Sequence, residues 1–193
     1  YVSASGQDGI FNGGQEFDGS SDYIDVGSQG TLFDGNEDYT TVLYANADTL
    51  SYGGSRVPLW HPRADADTGL FLNGGSIEFN FYDGGQNAQS YSASTNTDYQ
   101  IIGEWDVDSG KNLYVNGQQR ASGSVGDPND PSGATSILGH SPDVDGFEDF
   151  DGTLDELRIY NETQSSDWKK ADYDASSKAG YSFFNPQPEE ETA

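Results

Sequence analysis

The chain contains no cysteine, and only 8 of its 193 residues are lysine or arginine. Without cysteine it has no disulfide bonds, no thiol chemistry and no cysteine-based metal site. It also lacks an apolar run of membrane length, a Walker loop, a G-x-S-x-G elbow and an H-E-x-x-H pair. These absences exclude membrane-spanning helices and the most common nucleotide-binding and hydrolase motifs.

Acidic residues dominate the composition, with 33 Asp and Glu and a formal net charge of −25. A content of 13% aromatic residues is too high for a disordered acidic chain, so we expect a folded domain with a carboxylate-rich surface. Such a surface repels itself unless salt screens it, with a Debye length of about 3 Å at 1 M. The composition predicts a protein of a halophilic archaeon or its virus. It excludes nucleic acid and anionic membranes as partners.

The pattern along the chain predicts an all-β fold with one helix. Short alternating runs, such as 39–46, 76–82 and 99–105, are separated by Gly, Asn, Asp and Ser, as in a β-sandwich. A helix is predicted over 166–176, with Ser165 as its N-cap and Trp168, Ala171 and Tyr173 on its buried side. The length fits one domain over 1–180, and the acidic, Pro-containing segment 181–193 predicts a tail or linker to other domains of a longer parent chain.

Two segments near the ends of the chain carry recognisable motifs. The opening segment reads Phe17-Asp-Gly-Ser-Ser-Asp-Tyr-Ile-Asp-Val26, and the closing one reads Phe150-Asp-Gly-Thr-Leu-Asp-Glu-Leu-Arg-Ile-Tyr-Asn161. Together with Leu113-Tyr-Val-Asn-Gly117, they resemble the strands of the laminin-G-like, concanavalin A-like jelly-roll family. The resemblance implies a sandwich of two antiparallel sheets with a short C-terminal helix. Most members of that family are binding modules.

The resemblance leaves three functions open. The first is a non-catalytic, extracellular lectin-like module that binds glycans or a surface partner at high salt. The second is a structural assembly domain of a cell-surface filament, sheath, virion coat or spike. The third is a glycoside hydrolase, because Glu104 and Asp106 alternate along a strand as paired catalytic carboxylates do. Since Asp106 and Asp108 precede Ser109-Gly110, they are better explained as turn residues, and we expect no enzymatic activity.

Aromatic rings beside amide and carboxylate groups are the usual means of holding a sugar. The candidate ligand-binding residues are Trp60, His61, Tyr82 and Trp105. For each ring taken alone, a place in the core is the stronger alternative.

Calcium is the expected cofactor, because related jelly rolls often hold a structural calcium ion where the first and last strands meet. At that place the resemblance implies Asp18, Gly19 and Asp155 as ligands. The alternative is that both aspartates only accept hydrogen bonds from turn amides. The loop 143–149 is a weaker second candidate.

Asn161-Glu162-Thr163 is the only N-x-S/T sequon of the chain, and it falls between the last strand and the helix. It predicts N-glycosylation at Asn161 if the protein is extracellular, although so short a pattern also arises by chance.

Overall fold

The computed structural model describes residues 14–28, 37–50, 52, 56–62, 68–80, 88–124, 135–140 and 148–177. Within these residues the chain forms β-strands, and the last strand is followed by a single helix, α1 (Ser166–Ser177). The strands are β1 (Gln15–Asp18), β2 (Ile24–Ser28), β3 (Tyr39–Ala47), β4 (Val57–His61), β5 (Gly69–Asn73), β6 (Ser76–Asn80), β7 (Gln89–Ser92), β8 (Asp98–Asp106), β9 (Gly110–Val115), β10 (Gln118–Gly123), β11 (Thr135–Leu138) and β12 (Asp151–Tyr160).

The strands form two antiparallel six-stranded sheets within the described part of the chain. Sheet A has the order β1-β12-β3-β8-β9-β10, and sheet B has the order β2-β11-β4-β5-β6-β7. The first strand pairs with the last, from Gln15 opposite Leu154 to Asp18 opposite Asp151. The predicted jelly-roll sandwich is therefore confirmed, as is the pairing of its opening and closing segments.

The core lies between the two sheets and follows the two-residue alternation of their strands. Leu43 and Ile101 of sheet A face Leu70 and Phe79 of sheet B, and all four are fully buried. Gly103 leaves room for this packing, because a Cβ atom there would lie 2.4 Å from the Phe79 ring. Each large apolar side chain buried in this way contributes about 1.5–3 kcal/mol.

Most predicted strands are present within a few residues of their predicted bounds. The hairpin predicted at Asn116-Gly117 joins β9 to β10, and both residues have the positive φ angles, 54° and 68°, that this turn requires. Strand β7 was not predicted, because its sequence Gln-Ser-Tyr-Ser has no apolar alternation. Residues 81 and 82, the end of the predicted run 76–82, lie outside the described residues.

Helix α1 begins where predicted, and the Ser165 hydroxyl accepts a hydrogen bond from Trp168 N at 3.1 Å. Its predicted buried side was partly wrong. Lys169 is the buried residue, Trp168 and Tyr173 are half-buried, and Ala171 is exposed. The reason is that the sheet surface beneath the helix carries the Glu104 carboxylate, which pairs with Lys169, beside an apolar cluster against which Trp168 packs. No helix among the described residues is long and apolar enough to span a membrane.

A β-bulge in β12 aims its side chains at this helix. The register with β3 shifts between Asp155 and Arg158, and Glu156 adopts φ 53° there. After the bulge, Arg158 pairs with Val42 and Tyr160 with Thr40, on the face of sheet A that points away from the core. The bulge therefore places the Arg158 guanidinium against α1.

Candidate functional site

The outer face of sheet B, turned away from the core, carries a cluster of polar and aromatic side chains. Leu70 and Leu72 belong to the core, so Phe71 between them lies on the opposite face. Phe71 is directly opposite Glu78 on β6, which brings the ring and the carboxylate to the same surface. Arg56 and His61, at the two ends of β4, both contact the Phe71 ring.

We call this surface the Arg56 face and define it by Arg56, His61, Phe71, Asn73 and Glu78. Arg56 Nε lies 3.2 Å from Glu78 Oε2. Asn73 Nδ2 donates to the two oxygens of the same carboxylate at 3.2 and 3.3 Å. The guanidinium carbon is 5.3 Å from the centre of the Phe71 ring, and the His61 ring meets that ring edge-on at 5.7 Å.

The Arg56 face is deep at its centre and open along β7. Phe71 and His61 are fully buried, whereas the Arg56 and Glu78 side chains keep 11% and 13% of their surface exposed. Ser90 on β7 lies opposite Glu78, and Ser92 lies opposite Ser76; both β7 serines are exposed. The partly exposed guanidinium and carboxylate, with the Asn73 amide and the β7 serines beside them, provide hydrogen bonds for a polar ligand, whereas the buried Phe71 ring supports them from beneath.

The four predicted ligand-binding aromatic residues have different positions. Trp60 and Trp105 are fully buried in the core, so the prediction that their rings contact a ligand is corrected: a ring with no exposed surface cannot stack on a sugar. His61 is equally buried, so the same correction applies to its ring, which packs against Phe71 beneath the Arg56 face. Tyr82 lies outside the described residues. Sequence reasoning missed Arg56, Asn73 and Glu78, because only strand pairing brings these separated polar residues together.

The outer face of sheet A is covered by α1. Lys169 of the helix forms a buried ion pair with Glu104 of β8; the two side chains are 1% and 6% exposed. The Lys169 ammonium also lies 3.9 Å from the centre of the Tyr114 ring. Burial lowers the pKa of Lys169 and outweighs the opposing effects of Glu104 and Asp106. Glu104 therefore has a structural role, because it pairs with the helix.

Asp106, the second carboxylate of the possible catalytic pair, forms hydrogen bonds within a turn. Asp106 Oδ1 accepts hydrogen bonds from Asp108 N and Ser109 N, each at 2.9 Å. This is the turn role expected from the sequence. Burial tends to raise the pKa of Asp106, but the hydrogen bonds from Ser109 and Asp108 lower it overall. Neither carboxylate is arranged as an acid and nucleophile facing a shared groove.

Asp172 of α1 forms a second set of polar contacts between the helix and sheet A. Asp172 accepts two hydrogen bonds from the Arg158 guanidinium, at 2.9 and 2.8 Å. It accepts two more from Gln100 Nε2 at 2.8 Å and Tyr44 Oη at 3.2 Å. Burial raises the pKa of Tyr44 to about 12. Burial alone would lower the pKa of Arg158, but Asp172 raises it above the ordinary value.

The predicted calcium ligands are not brought together. Asp18 lies opposite Asp151, whereas Asp155 lies opposite Tyr44, four residues further along β12 and roughly 13 Å away by the rise of a strand. Asp18 Oδ1 accepts a hydrogen bond from Ser20 N at 2.9 Å, the turn role that was the alternative. The set Asp18, Gly19 and Asp155 is therefore corrected.

The described residues contain no cluster of three or more His, Asp or Glu side chains placed to hold a metal ion. Most of the second candidate loop, 143–149, lies outside the described residues. Where the first and last strands meet, burial raises the pKa of Asp151, and Asp48, Asp18 and Glu16 raise it further. Calcium binding stays a prediction without an assigned set of ligands.

Comparison with protein families identifies the fold. The model of the laminin G type within the concanavalin A-like lectin/glucanases superfamily matches residues 18–168. The chain belongs to this superfamily. No curated protein sequence is significantly similar to it.

Solved structures with the same fold include binding domains and an enzyme. The binding domain of Paraclostridial Mosquitocidal Protein 1 has a TM-score of 0.69 at 14% identity, over 89% of this chain and 45% of that one. The receptor binding domain of botulinum neurotoxin D has a TM-score of 0.67 at 14% identity, over 91% and 47%. A Trypanosoma rangeli sialidase has a TM-score of 0.63 at 14% identity, over 83% and 27%.

The chain therefore spans less than half the length of each of these three solved chains. At such identities the likeness shows the fold alone.

Proposed function

We propose that this domain is a non-catalytic, extracellular lectin-like module that binds a glycan or a polar surface partner at high salt through the Arg56 face. The observation that carries the proposal is the unequal use of the two outer sheet faces. Helix α1 covers sheet A and engages its buried charges. The Arg56 face combines a guanidinium, a carboxylate and an amide, and it reaches solvent at β7.

Two further facts support a binding role. Glu104 and Asp106, the carboxylates that most resembled a glycosidase pair, are used by the helix and by a turn. Two of the solved structures with the same fold are a receptor binding domain and a binding domain. The extracellular setting, the salt requirement and the halophilic source are part of the proposal, motivated by the net charge of −25.

A glycan array in molar KCl, with calcium and with EGTA, tests the proposal. Ser90→Trp places a large ring at the exposed rim of the Arg56 face without changing its buried groups. Ser122→Trp is the matched control, because Ser122 is an exposed strand serine on sheet A. We expect glycan binding by the native chain and by the Ser122 variant, and its loss in the Ser90 variant.

Each other result has a definite meaning. Equal binding by both variants would reject the Arg56 face as the site. If the folded native chain binds no glycan in either buffer, the glycan proposal fails and the assembly function becomes the better explanation. Binding that disappears in EGTA would support calcium as a cofactor.

A further inference from the structure

We propose that Asn161 in the folded domain is an acceptor for N-linked glycosylation. The proposal concerns a different surface from the Arg56 face and does not depend on the ligand bound there. Its first support is position. Asn161 lies in a bend directly after β12, five residues before α1 begins at Ser166, and its side chain is exposed.

The reactive groups of the sequon are not used by the fold. Within the described part of the chain, neither the Asn161 amide nor the Thr163 hydroxyl takes part in a hydrogen bond. The connector is instead fastened through backbone atoms. Thr40 Oγ1 donates to the Glu162 carbonyl at 2.9 Å, and Gln164 N donates to Glu104 Oε2 at 3.2 Å. The side chains that a transferase must reach are therefore separate from the atoms that hold the connector.

A sugar on Asn161 is also compatible with the packing of the domain. The neighbouring residues Glu162, Ser166 and Asp167 are exposed, whereas the helix contacts sheet A through Lys169 and Asp172. A chain of sugars at Asn161 would extend from the helix-covered side of the sandwich. The Arg56 face, on the other sheet, would stay open.

The modification is a group transfer from a polyprenyl-phosphate-linked oligosaccharide, catalysed by an oligosaccharyltransferase. Asn161 Nδ2 attacks C1 of the first sugar, so that a bond from Nδ2 to C1 forms and the bond from C1 to the phosphate oxygen breaks. The lipid phosphate leaves with the electron pair, and one amide proton passes to a base of the transferase. Thr163 supplies the hydroxyl that the N-x-S/T sequon requires two residues after the acceptor Asn.

The test uses the purified, folded chain with a single-subunit oligosaccharyltransferase and its lipid-linked donor. A synthetic peptide spanning 156–168 controls for transferase activity. We expect one added oligosaccharide on the native chain, located at Asn161 by peptide mass spectrometry. Thr163→Ser should keep the added mass and Thr163→Ala should lose it.

Two engineered sequons show how exposure and hydrogen bonding of the acceptor Asn affect its glycosylation in this fold. Asp98→Thr creates a sequon at Asn96, which is exposed in a turn; Gln118→Thr creates one at Asn116, whose Oδ1 accepts a hydrogen bond from Gln100 N at 2.9 Å. We expect Asn161 to be occupied like Asn96 and unlike Asn116. The proposal is overturned if the peptide is glycosylated while Asn161 of the folded chain stays bare. It is also overturned if Thr163→Ala keeps the added mass.

Discussion

The buried ion pair between Lys169 and Glu104 offers a quantitative test of how α1 is held on the sandwich. Lys169→Met keeps the length and the apolar stem of the side chain but removes the ammonium. Glu104 then stays buried as an unpaired carboxylate beneath the helix. Removing one partner of a buried pair costs about 3–5 kcal/mol, because the remaining charge keeps its desolvation penalty.

The structure places the expected cost at the low end of this range. After the substitution, Glu104 still accepts a hydrogen bond from Gln164 N at 3.2 Å and a longer one from Asn112 Nδ2 at 3.4 Å. These contacts stabilise part of the orphaned charge, so we expect about 3 kcal/mol. For a domain of this size, that loss lowers Tm by roughly 6–12 °C.

Thermal unfolding in molar KCl, followed by circular dichroism, measures the effect. The control is Lys170→Met on the same helix, because the Lys170 side chain is 64% exposed and its pair with Asp174 contributes at most about 1 kcal/mol. Adding Glu104→Gln to Lys169→Met should recover most of the lost stability, because no buried charge remains. If Lys169→Met costs no more than Lys170→Met, the helix is not held by the buried pair.

Three further predictions concern charge and backbone strain. Because the pKa of Asp151 is raised, the folded state binds its proton more tightly than the unfolded state, so this group adds stability as pH falls through that pKa. Asp151→Asn should increase the free energy of unfolding at pH 7 by less than about 1 kcal/mol. The variant should also lose the increase in stability that Asp151 gives the native chain as the pH falls. Glu156→Gly should stabilise by about 1 kcal/mol in a urea titration, because φ 53° suits glycine, whereas Glu156→Ala should not. Tm should rise from dilute buffer to molar KCl, and a constant Tm would contradict carboxylate repulsion at a net charge of −25.

The fold could be predicted because its signals are local. The Asn116-Gly117 turn, the Ser165 cap and the alternation of Ile77 and Phe79 each depend on residues close together in the chain, and the structure has all three. The buried side of α1 was harder to predict. An exposed helix would also place lysine and aspartate outward, and Lys169 turns inward only because Glu104 lies beneath it on the outer face of sheet A.

The candidate site was less predictable, for a geometric reason. Arg56 and Glu78 are separated by 22 positions, and neither belongs to a motif; they meet because β4 and β6 both pair with β5. The ligand set predicted for calcium disagrees with the strand register, whereas calcium binding itself stays a prediction. The pairing of β1 with β12 was expected, but which aspartate of β12 faces Asp18 depends on an alignment that sequence motifs do not specify.

The two buried charge networks have different consequences for function. On sheet A, Asp172 and Glu104 join the helix to strands, so a ligand that competed for them would release α1. Within the described residues, the pair of Arg56 and Glu78 spans β5 within one sheet, whose strands backbone hydrogen bonds already hold in register. A ligand can therefore exchange hydrogen bonds with this pair without displacing an element of secondary structure. This difference is the physical reason to expect binding at the Arg56 face rather than beneath the helix.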